Sequence, residues 1–209
     1  MKDIKDTPLF PEGHRNTLRP CLIHNTENLR ELGKHSHKFL VFTCTECGKR
    51  DVRNNNAVTH KTANVCCRFC MLKNAHERTL NNMLYDYIEA NYGLPFQYLE
   101  IQKVVKRFSK DKFKYDMFVG KDFNTVIELD DDTHVYNKLT RLYDIIKMQI
   151  AKSMGYKVIR IYLNKKDEFS KELQDQIIEQ LEKNRNEEPG YNLVILNDNK
   201  GKLNNLKNI

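Results

Sequence analysis

The sequence predicts an α/β domain built on a mixed sheet, with a small metal-organised module in front of it. Three observations carry this prediction. All six Cys lie between Cys21 and Cys70, and six of the seven His lie within the first 76 residues. The basic excess sits in the same stretch: residues 1–75 carry 13 Lys and Arg against seven Asp and Glu, whereas residues 76–209 carry 22 against 21. From residue 77 the apolar period switches between that of a helix and that of a strand, in the order helix, three strands, helix, strand, helix. A boundary near residue 73 follows.

Composition narrows the class. With 40% apolar and 30% charged residues in 209, the chain can bury a core and is not disordered. No stretch approaches the roughly 20 apolar residues of a membrane span, and the N-terminal residues lack the apolar core of a signal peptide. The expectation is a cytoplasmic protein with no membrane partner. In a reducing compartment the Cys read as metal ligands before they read as disulfides.

The elements follow in order. Residues 1–37, broken by Pro8, Pro11, Gly13 and Pro20, read as an irregular arm. Residues 37–43 read as a strand that opens a module over 38–73. Leu80, Leu84 and Ile88 mark a helix over 77–91 that Gly93 stops. Strands are expected at 96–108, 112–119 and 125–129, the last mostly apolar and therefore buried. A helix over 138–154 places Leu139, Leu142, Ile145, Ile146 and Ile150 on one side, and Gly155 ends it. A strand at 156–163 comes next, then a helix capped by Asp167 with Leu173, Ile177 and Leu181 inward. The α/β domain is thus assigned to 76–184. Residues 185–209, Asn-rich, read as a polar C-terminal extension with a short strand at 191–196.

Cys44-x-x-Cys47 and Cys67-x-x-Cys70 are separated by 19 residues. Two thiolates at that spacing sit on a tight turn and hold one metal together, and Gly48 suits the left-handed turn that such a knuckle needs. Two knuckles make a closed tetrahedral Zn²⁺ site, whose binding supplies folding free energy to a segment with little core. Cys66, next to Cys67, is an alternative ligand, and Cys21-x-x-His24 reads as an ordinary loop. Lys49, Arg50, Arg53, Lys61, Arg68 and Lys73 surround the knuckles, and basic side chains on a rigid ribbon suit phosphate contacts.

The chemistry is expected in the second half. Glu128 and Asp130 are two apart on a strand and share one face, and Asp116 comes from the strand before. Three converging carboxylates suit Mg²⁺ or Mn²⁺, and without a cation so much like charge would be costly to bury. Such a metal polarises a phosphoryl oxygen and helps form hydroxide, which phosphodiester hydrolysis needs. His134 follows closely and can transfer protons near neutral pH. The plain alternative is a solvated acidic turn, since Asp130 to Asp132 is itself a charge run; a carboxylate set directly after the apolar Val126-Ile127 argues against it.

These residues, in this order, make residues 77–163 resemble the very-short-patch-repair branch of the PD-(D/E)xK nucleases, the EDxHD group that includes phage homing endonucleases. The resemblance rests on Asp116, Glu128-x-Asp130, His134, Asp144-x-x-Lys147 and the strand from Gly155 to Arg160. It implies a restriction-endonuclease-like core with Asp116 as the central metal ligand, Glu128 and Asp130 completing the carboxylate set, and His134 and Asp144 as the later motif residues. The motif's first Glu would lie on the opening helix, at Glu77 or Glu89. Three positions depart from the family pattern: Asp130 stands where the wider superfamily has a catalytic Lys, Asp131 replaces the Gly after Glu-x-Asp, and Lys147 replaces an Arg.

Read this way, 76–184 is a nuclease domain behind a zinc ribbon, and the protein is expected to be a metal-dependent DNA endonuclease of homing or nicking type. Lys103, Lys106, Arg107, Lys110, Lys112 and Lys114 would form a basic hairpin that holds the DNA backbone beside the acidic site. One site cuts one strand, so a double-strand break calls for a transient dimer or two events. Two other readings stand beside this one: a non-catalytic zinc-ribbon regulator on a nuclease scaffold, and an RNA-directed nuclease.

Overall fold

Two compact units divide the chain, Met1–Lys73 and Asn74–Ile209. The computed structural model describes residues 21–23, 39–44, 47–54, 67–72, 74–93, 95–106, 112–164 and 166–207.

In the first unit β1 (Cys21–Ile23), β2 (Phe39–Cys44) and β3 (Arg50–Asn54) form an antiparallel sheet in that order. β1 lies within the stretch read as an irregular arm and pairs with the end of β2, Cys21 opposite Cys44. Between β2 and β3 stands Gly48 with a φ of 69°, the left-handed conformation that a Cβ disfavours. α1 (Arg68–Met71) is a single turn with Cys67 as its N-cap.

The second unit opens with α2 (Ala75–Tyr92). Asn74 caps it, its side-chain oxygen accepting from the N–H groups of His76 and Glu77, and Gly93 ends it with a φ of 89°. Its inward stripe is Leu80, Leu84 and Ile88, at helical spacing. β4 (Leu99–Lys106), β5 (Lys112–Val119), β6 (Thr125–Asp130), β7 (Lys157–Tyr162) and β8 (Asn192–Leu196) then form one sheet in chain order. β4, β5 and β6 are antiparallel, and β6, β7 and β8 are parallel, so the sheet is mixed.

The parallel pairs require crossovers. α3 (Asp132–Tyr136) and α4 (Lys138–Met154) link β6 to β7, and α5 (Lys171–Asn186) links β7 to β8. Thr125 and Lys157 reach Asn184 of α5, whereas Glu128 and Arg160 reach Lys147 and Met148 of α4. Side chains alternate along a strand, so the two long crossover helices cover opposite faces. Every residue of β7 is buried accordingly. α2 joins the α5 side, where the Tyr87 hydroxyl donates to Glu182 at 2.6 Å. On the α4 side Tyr115, Val126, Met148, Ala151, Tyr156 and Val158 pack into one apolar cluster.

Several details differ from the sequence reading. β4 begins at Leu99, and Pro95–Gln97 forms a 3-10 turn instead of strand; the expected strand's last two positions, 107 and 108, lie outside the described residues. Ser170, not Asp167, caps α5, its hydroxyl accepting from the Leu173 N–H at 3.2 Å; Asp167 accepts from the Asn164 N–H. Leu139 and Leu142 are 57% and 51% exposed. The face that α4 turns to the sheet carries Asp144, Lys147 and Met148, because that part of the sheet presents Glu128 and Arg160 as partners. Finally, the chain after residue 185 is not an appendage. It supplies β8, and Leu203 and Leu206 are buried against Tyr162. Among the described residues no helix is long and apolar enough to cross a membrane.

Candidate functional site

Among the described residues, two groups of side chains can hold metal ions, one in each unit. In the first unit Cys47, Cys67 and Cys70 bring their sulfurs within 4.8 Å of one another. The Cys47 and Cys67 sulfurs are 3.3 Å apart, and the Cys70 N–H donates to the Cys67 sulfur at 3.4 Å. Burial pushes the Cys67 thiol well above its ordinary range. A cation would reverse that, since metal binding favours the thiolate. Cys44 ends β2, directly before this group, but its side chain lies outside the described residues, as does Cys66 altogether.

The second group, Asp130, His134 and Asp144, lies at a cleft of about 210 Å³. The cleft is lined by Asn74, His76, Glu77, Asp116, Glu128, Leu129, Asp130, Asp131, His134, Lys147 and Leu163. The local cause is a strand pair that parts. β5 and β6 are paired from Val119↔Thr125 to Met117↔Ile127, and beyond that point the Leu129 N–H is taken up by the Asp116 carboxylate at 2.8 Å. The parted strand ends form the floor of the cleft.

Each carboxylate has a distinct environment. Burial raises Asp116 above the usual carboxylate range, with the Leu129 N–H pulling the other way. Burial pushes Glu128 up to about 8; Lys147 opposes the shift and Asp116 adds to it. Both Glu128 oxygens accept from the Lys147 ammonium at 2.8 Å. Burial alone would lower Lys147, but the attraction of Glu128 outweighs it and the amine is raised.

Asp130 is held differently. Both its oxygens accept from Arg160, the Oδ2 from Nε at 2.7 Å, and Arg160 is completely buried. The same guanidinium reaches Asp144 Oδ1 at 2.9 Å. The other Asp144 oxygen meets His134 Nδ1 at 2.9 Å, and Asp130 Oδ1 lies 3.1 Å from that nitrogen. With Nδ1 between two carboxylates the proton belongs on Nδ1, and Nε2 is left for other partners. Burial would lower His134, yet the bond to Asp144 and the charge of Asp130 raise it. Burial would raise Asp144, yet His134 and Arg160 hold it below its ordinary value.

The candidates named from sequence therefore fall into three groups. Asp116, Glu128, Asp130, His134 and Glu77 line one cleft, whereas Asp144 stands behind it. Glu89, the alternative to Glu77, is exposed three turns further along α2, within 3.5 Å of the Tyr85 hydroxyl. The tight cluster of ligand atoms, within 4.8 Å, is Asp130, His134 and Asp144, and Arg160 already supplies the positive charge there. Of the basic candidates, Lys49 and Arg50 flank the Cys47 turn half-buried, and Lys114 is exposed on β5. The side chains of Arg53, Arg68, Lys103, Lys106 and Lys112, and all of Lys61, Arg107 and Lys110, lie outside the described residues.

The motif includes Lys147 and Arg160 but does not tell their partners, and it leaves out His76. Lys147 sits one helical turn after Asp144. Arg160 interrupts an apolar strand, and a charge in such a run is itself the signal that a buried partner exists. His76 enters the cleft wall from the start of α2, its Nε2 3.1 Å from the Asp167 carbonyl. A further tie holds α3: Lys202 donates at 2.6 Å both to Asp132, the first residue of α3, and to the Tyr162 hydroxyl, which also bonds Asp132.

Asp116 and Glu128 add two carboxylates to the cleft beside the tight Asp130, His134 and Asp144 group. Both are oxygen ligands, both are held above their ordinary range, and each raises the other or is raised by a neighbouring carboxylate. No family model matches this chain, and no curated protein and no solved structure matches it either.

Proposed function

We propose that the second unit is a metal-dependent DNA endonuclease of the very-short-patch-repair-like branch of the PD-(D/E)xK nucleases, and that the first unit is a zinc ribbon that binds DNA. One observation carries the reading. Asp116 and Glu128 meet where β5 and β6 part, in a cleft that Glu77 enters from the preceding helix and His134 from the following turn. The element order of helix, three antiparallel strands, crossover helix and parallel strand agrees with it.

Asp116 and Glu128 would hold Mg²⁺ or Mn²⁺, with Asp130 fixed beside them by Arg160. When bound, the cation polarises a phosphoryl oxygen and lowers the pKa of water. His134, oriented through Nδ1 by Asp144 and Asp130, presents Nε2 for proton transfer to the leaving sugar oxygen. Asp144 and Asp130 raise its pKa, which favours the proton-donating form. Cys44 would complete the Cys47, Cys67 and Cys70 set around Zn²⁺. A monomer with one such cleft nicks, and a break of both strands calls for two copies.

The test is cleavage of plasmid DNA with Mg²⁺ by the full chain and by Asp116→Ala and Glu128→Ala. Metal-dependent nicking that both substitutions abolish supports the proposal. Absence of cutting in the unaltered protein, or cutting that survives both substitutions, refutes it, and cutting confined to RNA would transfer it to the RNA-directed reading.

A further inference from the structure

Among the described residues that line the acidic cleft, Lys147 is the one lysine or arginine, and it stands against five carboxylates, Glu77, Asp116, Glu128, Asp130 and Asp131. A phosphodiester entering that wall is repelled unless cations meet it. Arg160 cannot do so, because its side chain is completely buried and spent on Asp130 and Asp144. Lys147 differs in both respects. Its side chain keeps 14% of its surface open, and its ammonium has three N–H donors, of which Glu128 needs two at most.

The lysine is also held still. Its Nζ is fixed by both Glu128 oxygens at 2.8 Å, and its backbone carbonyl accepts from the Tyr115 hydroxyl at 2.7 Å. The Tyr115 ring lies under the ammonium at 5.7 Å. A donor fixed before the substrate arrives spends no free energy on reorganising when charge develops.

We infer that Lys147 is a catalytic residue of the proposed hydrolysis: its ammonium binds a non-bridging oxygen of the scissile phosphate and stabilises the charge that grows there. This rests on the nuclease reading. In the step, the oxygen of water bonds to phosphorus and the ester bond to the sugar oxygen breaks. The water gives up a proton to solvent and the sugar oxygen gains one, while Lys147 keeps all of its own. A lysine that served only as the counter-ion of Glu128 would be redundant once a divalent cation sat on that carboxylate. A lysine that touches the phosphate would not.

The experiment follows from this difference. Lys147→Gln and Lys147→Arg are compared with the unaltered full chain in two measurements: Mg²⁺ binding by calorimetry without DNA, and plasmid nicking at saturating Mg²⁺. Expected is Mg²⁺ binding by Lys147→Gln at least as tight as in the unaltered protein, since no ammonium competes for Glu128. Nicking should nevertheless fall about 100-fold, as on removal of one preorganised donor, and Lys147→Arg should recover most of it. Nicking by Lys147→Gln at the unaltered rate overturns the inference and leaves the nuclease standing. Loss of Mg²⁺ binding that arginine does not restore makes Lys147 structural and also overturns it. An unaltered protein that never nicks removes the nuclease reading and this inference with it.

Discussion

Arg160 reaches diagonally from its strand to Asp130 on the adjacent parallel strand, two residues beyond its register partner Glu128, and forms a fully buried, two-pronged ion pair. The guanidinium extends from there to Asp144, so one cation balances two carboxylates and, through them, orients His134. Breaking such a pair leaves uncompensated charge in the interior. Arg160→Met should therefore destabilise the protein by about 3–5 kcal/mol. A triple variant that also carries Asp130→Asn and Asp144→Asn should recover much of that loss. Denaturant unfolding measures both, and a single variant as stable as the unaltered chain would show that the pair is solvated.

The His134–Asp144 contact should give stability a maximum in mildly acidic solution. Asp144 is held below its ordinary value near 3.8, so its contribution is complete above that value and is lost as pH falls through the depressed one. His134 is raised above 6.5, so its contribution is complete below 6.5 and is lost as pH rises through the raised value. The stability difference between the unaltered protein and His134→Ala should thus be greatest between these limits. A difference that is flat from pH 3 to 9 would contradict the linkage.

Glu128 behaves in the opposite way to a salt-bridged surface acid. Its carboxyl rises from 4.5 to about 8, so the folded state binds the extra proton and stability declines as pH climbs through that window. A divalent cation competes with that proton. The increase in melting temperature on adding Mg²⁺ should be small near pH 5.5 and grow toward pH 8. Glu128→Gln should remove the growth, which thermal melts at several pH values would show.

The thiol group in the first unit should hold about one Zn²⁺ per chain. Elemental analysis of the purified protein checks the stoichiometry. Cys47→Ser combined with Cys67→Ser should empty the site, and zinc retained by that variant would exclude these sulfurs as ligands.

The parts of this architecture that were legible in sequence are those with a local cause. The stripe Leu80, Leu84 and Ile88 and the glycines at 93 and 155 define two helices without reference to anything distant. Glu128 and Asp130 share a strand face by period alone. The rotation of α4 was not legible, because Leu139 and Leu142 look inward until it is known that the sheet offers Glu128 and Arg160 to that helix. The same holds for Lys147 and His76, whose chemistry depends on neighbours 19 and 91 residues away. The sequence predicts a short strand at 191–196, but the place of β8 at the edge of the main sheet is a property of the whole chain.

The bond from Lys202 to Asp132 has a consequence for the order of events at the ribosome. The turn that carries His134 is tethered by a residue synthesised 70 positions later. A nascent chain can form the strands that bear Asp116 and Glu128 long before that tether exists. The proposed cleft is therefore completed only once Lys202 has been made, and Lys202→Ala should slow the nicking proposed above.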